Sequence, residues 1–260
     1  MAERLDEVVA ARTGMTRSQA RSLIMEGRVR VNGAPASKAG QSVRADAEIA
    51  IDEPRRFVSR GGEKLDHALD AFGVDVRDLR ALDVGASTGG FTDCLLQRGA
   101  AHVCAVDVGY GQLDWKLRND PRVQVMERTN FRHLPDDAFG EPFALIVIDT
   151  SFISLRTILA RARAYLRDDG RIVALVKPQF EAGRERLGAG GVVRDPAVHR
   201  AILREVRDAA RELGLAMIAL TASPLLGPAG NREFLGEFVP HGVPLDDERI
   251  DAVVGEGTTA

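Results

Sequence analysis

Two rhythms of apolar residues divide the chain. From Val58 onward, short apolar runs alternate with stretches whose apolar positions recur every three or four residues. The runs predict strands near 81–86, 102–108, 123–127, 144–149, 171–177, 215–222 and 233–239. Helical spacing falls between them, near 61–73, 89–99, 156–167 and 196–213. Such alternation predicts an α/β fold, a Rossmann-like parallel sheet with helices on both faces. Ligands of these sheets bind beyond the carboxyl ends of the strands, where the strand order reverses.

The first fifty residues have another texture. Leu5, Val8 and Val9, then Ala20, Leu23 and Ile24, mark two short amphipathic helices. Between them, Thr16 with Gln19 three positions on has the spacing of a capping box. "GRVRVNGAP" then alternates and presents Asn-Gly, a hairpin signal. The pattern divides the chain into a small α+β unit over 1–52, a linker over 53–60, a large domain over 61–245 and a tail over 246–260. That tail is expected to be frayed or a short helix.

Charge sharpens this division. The protein is net −3, yet positions 8–44 hold seven basic residues against one acid, Glu26. Arg17 and Arg21 lie one helical turn apart on a common face. A solvated helix surface would explain a basic run alone. The compact helix–turn–helix–hairpin setting favours a surface that contacts phosphates. Elsewhere the composition is that of an ordinary globular protein, 45% hydrophobic and 28% charged. The N-terminus is charged throughout, unlike a signal peptide. No apolar stretch approaches the roughly 18 residues of a membrane span. Cys94 and Cys104 fall in a helix and a strand pattern, which suits burial better than a disulfide. The five histidines are scattered, without metal-ligand spacing. These features set the expectations of a reducing, cytoplasmic location, no metal and a monomer.

Candidate chemistry begins at "ALDVGASTGGFTDCLL", a strand, a tight loop and a helix. Gly85, Gly89 and Gly90 let the backbone turn and a ligand approach. The pattern is G-x-x-x-G-G, not the dinucleotide G-x-G-x-x-G, and a tight structural turn alone would also produce it. Asp83 precedes the loop, and Asp107 ends the next strand, where an acid fits two ribose hydroxyls. An acid ahead of the loop would repel a pyrophosphate but suits a cationic ligand, favouring S-adenosylmethionine over NAD. Asp149 ends the fourth strand and is an alternative helix cap with Thr150 and Ser151. Asn130 has the form either of a cap or of a contact to adenine.

Lysine is rare: Lys38, Lys64, Lys116 and Lys177 are four of 35 basic residues. Lys177 closes the run "IVALVKPQFE", where burying an amine without a partner is costly. Lys64 in "SRGGEKLDHAL" also reads as an exposed helix residue, and Glu233 in "PAGNREF" as an edge-strand residue facing water. With Asp149 they form a set of two amines and two acids at strand ends and loops.

The N-terminal stretch "RLDEVVAARTGMTRSQARSLIMEGRVRVNGAPASKAGQSV" resembles an S4 domain, an RNA-binding module. That resemblance implies RNA contacts by Arg17, Arg21, Arg28 and Arg30, and the linker adds Arg60. The set of four resembles the Lys-Asp-Lys-Glu tetrad of RrmJ/FtsJ-type ribose 2′-O-methyltransferases. "VSRGGEKL", "DVGASTGGFTDCLL", "DVGYGQL", "LRNDPRV", "DTSFISL", "LVKPQFE", "GGVVRDP" and "GPAGNREF" are similar, in order, to the TlyA family, also labelled haemolysin A. Many relatives carry tryptophan where this chain has Phe57. The resemblance implies a class I methyltransferase sheet behind the S4-like domain, and 2′-O-methylation of cytidine in ribosomal RNA. It makes ribosomal RNA or ribosomal subunits the partner, and Lys64, Asp149, Lys177 and Glu233 the catalytic residues. It assigns S-adenosylmethionine to Asp83, the loop Gly85, Ala86, Ser87, Thr88, Gly89, Gly90 and Phe91, and to Asp107, Val108, Asn130 and Asp149. To act as a base Lys177 must be neutral: Lys64 and desolvation favour that form, Asp149 and Glu233 oppose it. Competing readings are a methyltransferase for a non-RNA substrate, a membrane-lytic protein and a catalytically silent RNA chaperone.

Overall fold

In the N-terminal unit, β1 (Ala2–Arg4) leads directly into α1 (Leu5–Thr13), which stops at Gly14 with φ 70°. The helix α2 (Arg17–Met25) opens on the expected capping box: Gln19 N donates to Thr16 Oγ1 at 3.3 Å, and Thr16 N to Gln19 Oε1 at 2.9 Å. Strands β2 (Val29–Val31) and β3 (Ala34–Pro35) pair antiparallel across Asn32 and Gly33, whose φ values of 51° and 78° fit a tight hairpin. β4 (Ser42–Arg44) pairs with β1, and β5 (Ile49–Ile51) with β2. Leu5, Val9, Ala20, Leu23, Ile24 and Val29 bury into one small core, with Val8 at its margin.

This computed structural model describes residues 2–25, 27–36, 38–44, 46–52, 56–227 and 229–256, excluding the side chains of Arg184 and Ala189. Glu26, the linker positions 53–55 and the tail positions 257–260 lie outside the described residues. The chain forms two compact units, residues 1–55 and 56–260.

The second unit runs α3 (Arg60–Phe72), β6 (Arg80–Val84), α4 (Gly90–Gln97), β7 (His102–Val106), α5 (Trp115–Arg118), β8 (Val123–Met126) and β9 (Phe143–Ile148). It continues α6 (Leu155–Ala164), β10 (Leu166–Val176), α7 (Pro178–Glu181), α8 (Pro196–Glu212), β11 (Ala216–Ala222), β12 (Phe234–Val239) and α9 (Asp247–Gly255). Seven strands form one sheet in the order β11-β12-β10-β9-β6-β7-β8. Both faces are covered, as the uninterrupted apolar runs require. On β10, Ile172, Ala174 and Val176 enter the core beneath α6, α8 and α9, whereas Val173 and Leu175 enter the core beneath α3 and α4.

One expectation needs correction. The sheet is parallel only across β8, β7, β6, β9 and β10; β12 runs antiparallel to both β10 and β11. Among the described residues no helix separates β11 from β12, which leaves no helical crossover with which to return in the same direction. Of the two forms expected for the tail, the structure shows the short helix, packed through Gly255 with Ile250 and Val254 in the core under α8.

Candidate active site

The chain lays β6, β7 and β8 side by side in one direction, then returns to place β9 on the other flank of β6. That reversal opens a crevice at the carboxyl ends of β6, β7 and β9. A cavity of about 550 Å³ occupies it, lined among others by Gly85, Ser87, Asp107, Val108, Asn130 and Asp149. A smaller one of about 110 Å³ adjoins it, sharing Gly85, Ser87 and Asp149 and adding Lys64, Ala86, Thr88, Gly90 and Phe91. Gly85, at φ 87°, is required here: a Cβ would stand 2.5 Å from the Asp149 carbonyl oxygen. Gly89 lines neither cavity and packs on α5, where a Cβ would stand 2.2 Å from Leu117 Cδ1.

Asp107 is the first residue past β7. Its carboxylate accepts from Ser87 N at 2.8 Å and Gly109 N at 2.6 Å. Each oxygen therefore keeps a lone pair for a hydroxyl in the larger cavity. Asn130 both caps and lines: its side chain accepts from Arg132 N at 3.2 Å, and the residue forms part of the cavity wall. Asp83 differs from its expected place facing the ligand. It is fully buried, lines neither cavity and accepts from Thr92 Oγ1 at 2.7 Å, while its Oδ1 has no hydrogen-bond partner. Burial pushes its carboxyl up to about 7 against the Thr92 hydrogen bond, and the negative charges of Asp149 and Asp107 add to the rise. The cysteines are buried thiols as expected, Cys94 pushed up to about 12 and Cys104 to about 11, chiefly by desolvation.

Lys64, Asp149, Lys177 and Glu233 form two ion pairs at one edge of the sheet. Lys177 follows the last residue of β10 and places Nζ 2.6 Å from Asp149 Oδ1, just past β9, while donating to Ser151 Oγ at 2.9 Å. The Asp149 contact is close but poorly angled, leaving Oδ1 without a hydrogen-bond donor. Lys64 on α3 donates to Glu233 Oε2 at 2.5 Å, with the side chains 9% and 1% exposed. The exposed readings of Lys64 and Glu233 are thereby excluded, as is Asp149 as a helix cap, because Ser154 caps α6. The pairs are linked through the smaller cavity, which Lys64 and Asp149 both line. Buried ions at such distances persist because each neutralises its partner. Two residues escaped the sequence reading: Ser151, and Gln179, whose Nε2 donates to Glu233 Oε1 at 3.3 Å. Ser151 stood in "DTSFISL" beside an assigned acid, but only the fold turns its hydroxyl to Lys177.

In the N-terminal unit, Arg17 and Arg21 do share a face, but they converge on a buried acid. Their Nε atoms donate to Asp6 Oδ2 at 3.1 and 2.9 Å, and Arg4 reaches the same carboxylate at 3.0 and 3.1 Å. Hydrogen bonds from Arg4, then from Arg21 and Arg17, hold Asp6 far below the usual carboxylate range against its desolvation. Asp6 lies two residues ahead of the basic segment 8–44. The two arginines remain about half exposed, so they still present positive charge outward. Arg30 pairs with the Asp52 carboxylate at 3.2 Å, Arg28 donates to the Asp52 carbonyl, and Arg60 donates to the Leu226 carbonyl in its own unit.

The FtsJ-like methyltransferase family model matches residues 57–237, and the S4 domain model matches residues 3–49. The 16S/23S rRNA (cytidine-2'-O)-methyltransferase TlyA of Mycobacterium tuberculosis is 50% identical over 230 residues, 88% of this chain and 86% of that protein. Hemolysin A of Brachyspira hyodysenteriae is 40% identical over 91% of this chain and 99% of its own. A solved structure from Streptococcus thermophilus, described as a candidate hemolysin, superposes with a TM-score of 0.76 at 42% identity, covering 98% of this chain and 95% of that one.

Proposed function

The chain belongs to the TlyA family of FtsJ-like methyltransferases that carry an S4 domain, and from that premise we propose that it methylates a ribose 2′-hydroxyl of cytidine in ribosomal RNA, with S-adenosylmethionine as donor. The observation that carries the reading is the double ion pair, Lys177 with Asp149 and Lys64 with Glu233, beside the glycine-loop cavities. A volume of about 550 Å³ suits a ligand the size of a nucleoside derivative, for which pockets run roughly 300–1,000 Å³. Asp107 has lone pairs free for two hydroxyls, and Asp149 puts negative charge on the wall, which fits a ribose and a cation better than a pyrophosphate.

The donor supplies a methyl group already activated by its positive sulfur. The protein's task is then alignment of the sugar oxygen and disposal of its proton. On this reading the amine of Lys177 faces the sugar oxygen and stabilises the negative charge that develops there. Asp149 holds that amine in place through its ion pair and leaves Lys177 or solvent to take the proton. Lys64, held by Glu233, lines the smaller cavity. The arginine face of the N-terminal unit supplies phosphate contacts to structured RNA, without base readout. A cytoplasmic location is part of the same proposal.

Ribosomal RNA treated with the protein and labelled donor, then mapped by mass spectrometry, is expected to carry a ribose methyl on cytidine. Lys177→Ala should abolish transfer while donor binding persists; normal turnover by that variant would refute the assignment. Membrane lysis, the second reading, has only the names of relatives behind it. No described helix is long and apolar enough to cross a membrane. Dye release from liposomes by RNA-free protein would revive it.

A further inference from the structure

The buried acid Glu181 has no place in the chemistry above, yet it sits one helical turn from Lys177 at the end of α7. Its side chain is 2% exposed. Oε2 accepts from Ser154 Oγ at 2.7 Å, and Oε1 accepts from Leu155 N at 2.6 Å. Glu181 thus occupies the N-terminus of α6, where free N–H groups and the helix dipole favour an anion. That helix begins at the end of the loop that leaves β9 with Asp149.

Two segments therefore leave neighbouring parallel strands, each carrying one member of an ion pair. The last paired positions between the strands are Ala174 and Ile148. Beyond them the segments are joined twice, first by Lys177 with Asp149 and Ser151, then by Glu181 with Ser154 and Leu155. Between these joints lies Phe152, a non-glycine residue at φ 63°. Such backbone is costly and persists only where its surroundings over-determine it. A further chain of contacts anchors the same corner to α8: Arg156 Nη2 and Arg186 Nη1 grip Glu205 at 2.9 and 2.7 Å, and Arg186 Nε donates to the Ala182 carbonyl at 2.6 Å.

We propose that Glu181 is a positioning residue for methyl transfer: by bridging the start of α6 to the turn after Lys177, it fixes the amine opposite Asp149. It touches neither substrate nor donor and acts only through the angle at which Lys177 is held. The proposal rests on the reading of Lys177 and Asp149 as the pair that meets the sugar hydroxyl. A side chain that drifts by about 1 Å can lose up to 100-fold in rate without weakening binding.

The test compares full-length variants by single-turnover methyl transfer to ribosomal RNA, together with donor dissociation constants and RNA KM. Glu181→Ala is expected to lower kcat by about tenfold or more, with KM and donor affinity within about twofold of the unaltered protein. Glu181→Gln keeps an acceptor for Leu155 N–H and a partner for the Ser154 hydroxyl. It should recover kcat to within about threefold. If the alanine variant does not fold, Ser154→Ala, which severs the hydroxyl contact to Oε2 together with the Ser154 cap of α6, should still lower kcat by about threefold or more at unchanged affinities. Unchanged kcat in the folded variants, with Lys177→Ala inactive, overturns the positioning role and leaves the site reading standing. Full activity of Lys177→Ala overturns both. Loss of kcat, KM and donor affinity in parallel marks a merely structural role and overturns the proposal.

Discussion

Asp83 gives the sharpest physical test, because its cost is written into the native state. The carboxyl is fully buried, holds one hydrogen bond and has its titration raised from 3.8 to about 7. A raised acid binds its proton more tightly folded than unfolded, so its contribution is most favourable below about pH 4 and falls as pH climbs to about 7. A separation of about three pH units, at about 1.4 kcal/mol each, amounts to about 4 kcal/mol lost in full. Asp83→Asn removes the titration and keeps an acceptor for Thr92. Urea unfolding of the two proteins without donor, at pH 5 and pH 8, should show the native protein losing roughly 2.5 kcal/mol relative to the variant between those values. Stability curves that stay parallel across that range would refute the raised titration, and with it the account of Asp83 as a desolvated acid.

Other outcomes follow from single contacts. In Gly227→Ala the new Cβ would stand 2.5 Å from Glu233 Oε1. It should displace that carboxylate from Lys64, lower the unfolding midpoint because a buried charge loses its partner, and cut single-turnover methyl transfer by about tenfold or more with donor affinity retained. Replacing both Arg17 and Arg21 by alanine should weaken RNA binding and flatten its dependence on salt by about one unit of slope per lost phosphate contact. An unchanged slope in a filter-binding titration would mean that these arginines serve Asp6 alone.

The sequence made the sheet legible because both faces are buried, so β6, β7, β9 and β10 stand out as unbroken apolar runs. Thr16 with Gln19, and Asn32 with Gly33, were legible for a local reason: each device is complete within four residues. The awkward lysine also announced itself, since a strand that ends in an amine must give it a partner. What escaped depends on distance along the chain. Asp6 meets Arg17 and Arg21 across 11 and 15 residues, and Glu181 meets Leu155 across 26. In "KPQFEAG" that glutamate resembles any solvent-facing acid. Asp83 was misplaced because a residue's position ahead of a loop does not reveal which side of the strand carries it.

The single reversed strand at the ligand edge decides where Glu233 can stand. Since β12 runs opposite to β10, with Phe234 level with Val176, the beginning of one strand lies beside the finish of the other. An acid that merely precedes β12 is thereby delivered to the rim where the parallel strands discharge their functional side chains. Were a helix inserted to turn β12 around, the same glutamate would enter from the opposite rim, roughly 20 Å away over six residues of strand. The link between β11 and β12, with no helix among its described residues, is what keeps a carboxylate within reach of Lys64.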